Sequence, residues 1–499
     1  MENTLEKKSG ILYLKSKFFL VRIFSYFSFL LIPVWLQKTL DLSELAQVFM
    51  MGLYIAFMCG QWFLLGKEID HRLRIYYRVN SSMDRVVYRL ILGMAFFYVY
   101  FTLLATFPTK WAYNAFWVTW AVLGLFYSWP TRGKIIQESV TSNFTEFRYL
   151  DSFEKTLVCL VLVMFVVSIP ELPKLTNQEA LKLYFDPAER FSSVFWDFMS
   201  ISYLPFHRYP SLQRIAWSMH FYAVGTGFFL FAFYALLRFV VSRRLSLLGI
   251  FALISSWSFT KVLAGAPATA IATTFSLIWV WAISWSVIGG TYRAGLFLGI
   301  TGFLGVVNHQ SFFLVTVAQL FVTYFVFLKD KTYWFRRQFL KYCSAGVILA
   351  IFVLLMDGVE LRLFDFSLTR YWEHVNSVVN RKAFNALMPF GLLILFAKIL
   401  NSKIAAVVSY KCDLEMVKRL LVSMGVLTLG GVILEPSIIE NFYPMWVAVL
   451  FALIPLELIF QTISRLRSNR NMIYLIYILI CLLDSHFEGR VKIFLRLLS

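Results

Sequence analysis

Asp186, Glu189 and Asp197 fall within twelve residues of one another, with Arg190 beside them. A carboxylate can act as general base toward an acceptor hydroxyl when partial desolvation raises its pKa toward neutrality. Asp186-Pro-Ala-Glu189 has the form of a helix start, with Asp at the N-cap, Pro at N1 and Glu at N3. On such a helix Glu189 and Asp197, eight positions apart, share a face. Phe191, Val194, Phe195, Phe198 and Met199 supply the apolar side of a helix lying on a membrane surface. The plain alternative is an amphipathic helix whose carboxylates are merely solvated. Spacing does not choose which of the three would be the base.

A second set of residues has the chemistry to bind phosphate. Arg362, Arg370, His374, Arg381 and Lys382 are interleaved with Tyr371 and Trp372. Arginine takes phosphate in a bidentate grip, and the rings suit sugar faces and headgroups. Interfacial anchoring by the same residue types is the competing account. His309, between Asn308 and Gln310 at the end of an apolar run, is a further candidate for a phosphate or sugar contact. Lys261 is a weaker one. Glu68, Asp70 and Asp84 lie in a strongly basic stretch, KEIDHRLRIYYRVNSSMDR, and are too few for a diphosphate–metal site of the usual kind.

The elements that must position these residues follow from composition. The 499-residue chain is 59% hydrophobic and 18% aromatic, with 15% charged, well below the quarter usual for a soluble domain. Apolar runs of ~17–25 residues recur throughout, each long enough to cross ~30 Å of hydrocarbon. The expected fold is therefore all-α: a polytopic transmembrane bundle of about fourteen spans, with interfacial helices in the outward loops. The runs lie roughly at 17–36, 43–65, 87–107, 112–129, 156–170, 216–241, 246–260, 266–288, 293–307, 310–328, 342–357, 384–400, 418–434 and 443–463. A weaker run at 471–484 precedes a basic tail and is expected to lie along the interface.

Lys and Arg collect in alternate loops, 66–86, 130–155, 242–245, 289–292, 329–341, 401–417 and 464–470, which puts those loops and the N-terminus in the cytoplasm. The long loop 171–215 and the loop 358–383 then face outward, carrying the carboxylates and the Arg/His set respectively. Two domains are expected, a four-span module over 1–155 and a larger domain over 156–499.

The net charge of +19 belongs to this topology and to anionic headgroups rather than to nucleic acid. Cys59, Cys159, Cys343, Cys412 and Cys481 are scattered, without the spacing of a disulfide framework or a zinc site. Metal ligands are not indicated, and a need for divalent metal stays open. No cleavable signal peptide is expected, and the Asn143-Phe144-Thr145 sequon falls on the cytoplasmic side. HExxH, GxSxG, Walker and GxGxxG motifs are missing where they would carry meaning.

From about residue 156 the order of features resembles the GT-C superfamily of integral-membrane glycosyltransferases, which use lipid-phosphate-linked sugars. A span enters from the cytoplasm, and a long acidic outward loop follows, closing with LPFHRYPSLQRIAWSMH. Next comes a basic inward turn within FYALLRFVVSRRLSLLGIFALIS, then the small-residue stretches AGAPATAIATT and GLFLGITGFLGVVNHQ. The resemblance implies that Asp186, Glu189 or Asp197 is the base, and that Arg370, His374, Arg381 or Lys382 meets the donor phosphate. The acidic pair common early in that loop of the family does not occur here.

The first 155 residues carry a fainter likeness to UbiA-type prenyltransferases in Tyr127-Ser128-Trp129-Pro130-Thr131-Arg132-Gly133-Lys134. GKEIDHRLR stands where that family has its Asp-rich motif. The function so implied is sugar transfer from a polyprenyl-phosphate donor on the extracytoplasmic face, with membrane lipids and a membrane-protein partner as associates. A non-catalytic scaffold, a transporter or flippase subunit, or a UbiA-like prenyltransferase are the rivals.

Overall fold

Pro33 sets the first feature of the fold. Its ring displaces the carbonyl four residues back and it has no N–H to donate, so a helix bends there. In the computed structural model α1 (Phe19–Leu30) and α2 (Ile32–Lys38) meet at Leu31 with a 50° bend. The structure describes residues 19–38, 44–73, 82–105, 109–129, 149–168, 226–255, 277–283, 291–308, 312–356 and 469–484, together with 212, 215, 274 and 275. Among these every regular element is a helix.

The chain divides into two compact units. The first comprises residues 1–73, 80–149 and 195–220, the second 74–79, 150–194 and 221–499. In the first unit α3 (Glu44–Leu73), α4 (Ser82–Ala105) and α5 (Thr109–Ser128) follow α2. Hydropathy alone ends the second apolar run near 65 and begins the third near 87, but both helices continue into the basic stretch between them. Lys, Arg and Glu are good helix formers, so charge ends an apolar run without ending a helix. His71 and Arg72 close α3 and Asp84 lies in the first turn of α4, each matching the local helix dipole.

The α3–α4 pair is antiparallel and closely crossed. A side chain on Gly66 would collide with the backbone of Arg89, and one on Gly93 with the backbone of Trp62. Beyond the crossing, Phe97 stacks on Trp120 of α5 at 5.2 Å, and the Tyr100 and Thr119 hydroxyls are hydrogen-bonded.

The second unit contains α6 (Ser152–Ser168), α7 (Phe229–Val240), α8 (Arg243–Ser255), α9 (Ala294–Asn308), α10 (Phe312–Val322), α11 (Tyr333–Met356) and α12 (Arg470–Asp484). A π-turn at Thr323–Phe327 prolongs α10. Helices α9 and α11 run parallel and touch directly, α10 being the returning segment that joins them in the chain. Gly295 faces the Phe339 carbonyl and Gly299 faces Cys343 and Gly346, so both contacts advance together along the two chains. Gly295-Leu-Phe-Leu-Gly299 is a small-xxx-small row, the pattern that lets apolar helices touch backbone to backbone.

By length and apolarity Ala46–Leu73 is one described helix able to cross a membrane, spanning about 42 Å. The bent α1–α2 pair makes a second if counted as one span. Thr226–Arg238, Ala294–Val306, Thr316–Phe327 and Arg470–Leu479 are shorter apolar helices. The runs expected at 384–400, 418–434 and 443–463 lie outside the described residues.

Candidate functional site

At the start of α6 the sequence Asp151-Ser152-Phe153-Glu154 closes on itself. The Asp151 Oδ1 accepts the Glu154 backbone N–H at 2.8 Å, and Glu154 Oε2 accepts the Asp151 backbone N–H at 3.0 Å. This reciprocal capping box satisfies backbone donors that a helix start otherwise leaves open. It also sets two carboxylates at one helix end.

Arg243 and Arg244 open α8, whose first turn holds no acidic residue. Two cations at the positive end of a helix dipole are unfavourable on their own account. The α6 carboxylates meet that need from the neighbouring helix. Arg243 donates through Nε to Glu154 Oε1 at 2.8 Å and through Nη2 to Oε2 at 2.6 Å, a two-pronged grip. Arg244 donates through Nε to Asp151 Oδ2 at 2.9 Å, and its Nη2 also pairs with that oxygen. Its Nη1 reaches Asn471 Oδ1 at the start of α12, at 3.2 Å.

Rings close the junction. The Arg244 guanidinium lies 5.9 Å from the centre of the Phe153 ring, and Phe153 lies 5.5 Å from Tyr474. Tyr474 and Ile478, one turn apart, are buried where α12 packs on α8.

Burial pushes the Asp151 carboxyl up, but the Glu154 N–H and the Arg244 guanidinium together hold it below the usual carboxylate range. The hydrogen bonds to Glu154 raise the Arg243 pKa further above its ordinary value, against a smaller opposing effect of burial. Every carboxylate oxygen of Asp151 and Glu154 already accepts from a backbone or guanidinium donor. A base with both oxygens so engaged is poorly placed to take a proton from a substrate. The junction's role is mechanical: it ties the starts of α6, α8 and α12 together.

That tie orients the helices. Gly227, just before α7, lies against the ring of Phe165 near the far end of α6. Arg243, just after α7, holds Glu154 at the near end. Helices α6 and α7 are therefore antiparallel, and the chain leaves α6 at Ser168 and rejoins it at Thr226 on the end away from the arginines.

A smaller ionic contact joins α3 and α4, where Arg89 Nε donates to Asp70 Oδ2 at 3.4 Å and the guanidinium lies 5.9 Å from the Phe63 ring. Among the described residues no group of three or more His, Cys, Asp or Glu side chains is placed to hold a metal ion.

Asp186, Glu189 and Asp197, the three expected bases, lie outside the described residues, as do Arg362, Arg370, His374, Arg381 and Lys382. His309 follows the last residue of α9 and is also outside them. The α6–α8–α12 junction is absent from the sequence reading. Its signal is present, because Asp-x-x-Glu before an apolar run is the capping-box pattern. Its partners are 89 and 93 positions away, and local pattern carries no information at that range. Comparisons with protein-family models, curated proteins and solved structures found no match to this chain.

Proposed function

We propose that this protein is an integral-membrane glycosyltransferase that moves a sugar from a polyprenyl-phosphate donor to an acceptor on the extracytoplasmic face. Asp186, Glu189 or Asp197 removes the acceptor proton, and cations among Arg362, Arg370, His374, Arg381 and Lys382, with His309, stabilise the departing lipid phosphate. The membrane part of the proposal is supported by an inside-out distribution of polarity. Trp111, Val118, Val122, Phe321, Phe325, Ile348 and Phe352 are exposed, while Thr301, Thr316, Gln319 and Thr323 are buried. In water that arrangement is costly, and in lipid it is the favourable one.

The observation that carries the catalytic part is the antiparallel α6–α7 pair. Ser168 and Thr226, the described residues that flank the interval containing the three carboxylates, both stand at the end of the pair opposite the arginine junction. With the arginines taken as cytoplasmic by the positive-inside rule, this supports an outward course for the loop expected at 171–215, on the side where lipid-linked sugar would be met.

Replacing all three carboxylates by amides (Asp186→Asn, Glu189→Gln, Asp197→Asn) is expected to abolish transfer while leaving membrane insertion unchanged. The measurement is the glycan and glycolipid profile of the producing cells, together with mass spectrometry of lipids co-purifying with the protein. An unaltered profile in the triple variant would refute the catalytic role and favour a scaffold or a transporter subunit. The prenyltransferase reading needs free carboxylates at the α3–α4 end, where Asp70 is instead paired with Arg89.

A further inference from the structure

Helix α11 carries two opposed stripes. Phe339, Cys343, Gly346 and Ala350 are buried, and the first three of them meet α9. Trp334, Arg337, Lys341, Ala345, Ile348 and Phe352 recur at three- and four-residue intervals and are all exposed. The exposed stripe changes character along its length: it opens with Trp334, continues with two cations, and becomes apolar after Lys341. Arg293, at the start of α9, adds exposed positive charge at the same end, whereas Lys329, in the turn before α11, is followed at once by the exposed Asp330. The first turn of α11 has no acidic residue, and Arg336 is committed to the Lys331 carbonyl at 3.0 Å and to the Lys329 carbonyl. Tyr292 packs edge-on against Trp334 at 5.4 Å, which holds the ring at the rim of this patch.

We infer that this stripe is a docking surface for an anionic phospholipid of the inner leaflet, whose phosphate sits on Arg337 and Lys341 and whose acyl chain lies along Ala345, Ile348 and Phe352. The order of the residues matches the polarity of the ligand from headgroup to tail. From Arg337 to Phe352 the stripe runs about 22 Å, the length scale of one leaflet with its headgroup. Charge complementarity selects an anionic lipid over a zwitterionic one, and Trp334 stands where aromatic side chains settle at the interface. The inference rests on the membrane part of the proposed function and not on its chemistry.

The test reconstitutes the full chain in nanodiscs of phosphatidylcholine with a minor fraction of phosphatidylglycerol, followed by native mass spectrometry of retained lipid. The parent protein is expected to retain phosphatidylglycerol preferentially. The Arg337→Gln/Lys341→Gln variant should lose roughly thirtyfold in that preference at low salt, with unchanged helicity by circular dichroism. Excess inorganic phosphate should not displace the lipid; displacement would assign the patch to a soluble anion and overturn the proposal. Equal retention of phosphatidylglycerol by parent and variant would overturn it while leaving the membrane reading intact. Failure of the parent chain to enter nanodiscs would overturn both. Ile348→Gln provides a second arm, since a lipid tail on the stripe should be held more weakly there, whereas a soluble anion would be indifferent.

Discussion

The α3–α4 crossing and the α6–α8–α12 junction both bring acids and arginines to helix ends, yet they hold their helices by different means. At α3–α4 the backbones themselves touch, through Gly66 and Gly93, and the Asp70–Arg89 pair is a single 3.4 Å contact at the edge. At the junction two arginines are gripped by two carboxylates through several short bonds, with a capping box behind them. Steric fit needs no charge and tolerates no side chain. The ionic tie tolerates shape changes nearby but depends on each charge keeping its partner.

Three substitutions would break or sharpen this contrast. The largest effect is expected at the crossing. Gly93→Leu places a branched side chain into the Trp62 backbone, where no rotamer relieves the clash, and should cost about 3 kcal/mol or more. A large drop in the thermal midpoint and loss of the monodisperse peak in detergent would register it. A fully stable variant would show that the helices are not crossed there.

Next comes the junction. Glu154→Ala removes a buried carboxylate and leaves Arg243 without its two-pronged acceptor, and the capping box opens as well. Arg243 keeps partial access to solvent, with 29% of its side chain exposed, so the loss is expected at about 2 kcal/mol rather than the larger cost of a fully buried orphan. A double-mutant cycle with Arg243→Ala should return a clear coupling energy in thermal unfolding. Additive losses would reduce the pair to a bystander.

The smallest effect is in pH. Asp151 has its carboxyl held below the ordinary value, so its stabilising contribution is full above ~3.9 and fades as pH falls through the lowered folded value. Asp151→Asn should therefore lower the unfolding midpoint at pH 6 and differ progressively less from the parent below pH 4. A gap between the two that widened on acidification would contradict the assignment.

Much of the helical skeleton was legible from apolar runs, because burial and helix periodicity are local properties. The departures have one cause. Runs 43–65, 87–107 and 342–357 stop where charge begins, whereas α3, α4 and α11 reach Leu73, Ser82 and Tyr333, since charged residues with partners or solvent continue a helix readily. Run 17–36 reads as one unbroken stretch, whereas Pro33 bends it by 50° at Leu31. The weak run at 471–484 reads as an interfacial piece from its basic tail. Its place against α8 depends on Asn471 and Tyr474 meeting residues more than two hundred positions earlier. Of the candidate site, the chemical types could be named from sequence, and the structure describes the helices from which their loop departs.

By itself the sequence determined the class of structure among the described residues: helices, many of them apolar, with charged residues gathered toward their ends. Those are consequences of residue type and of period along the chain. Tertiary structure decided which helices touch. Gly66 and Gly93 are merely small residues until two backbones need their space, and Gly295 is one of several glycines until α11 runs parallel to α9 rather than against it. Asp151 and Glu154 are a helix cap until Arg243 and Arg244 arrive from the far side of the long polar loop. Contact between distant residues depends on how the helices assemble in space, and no local period in the chain records it.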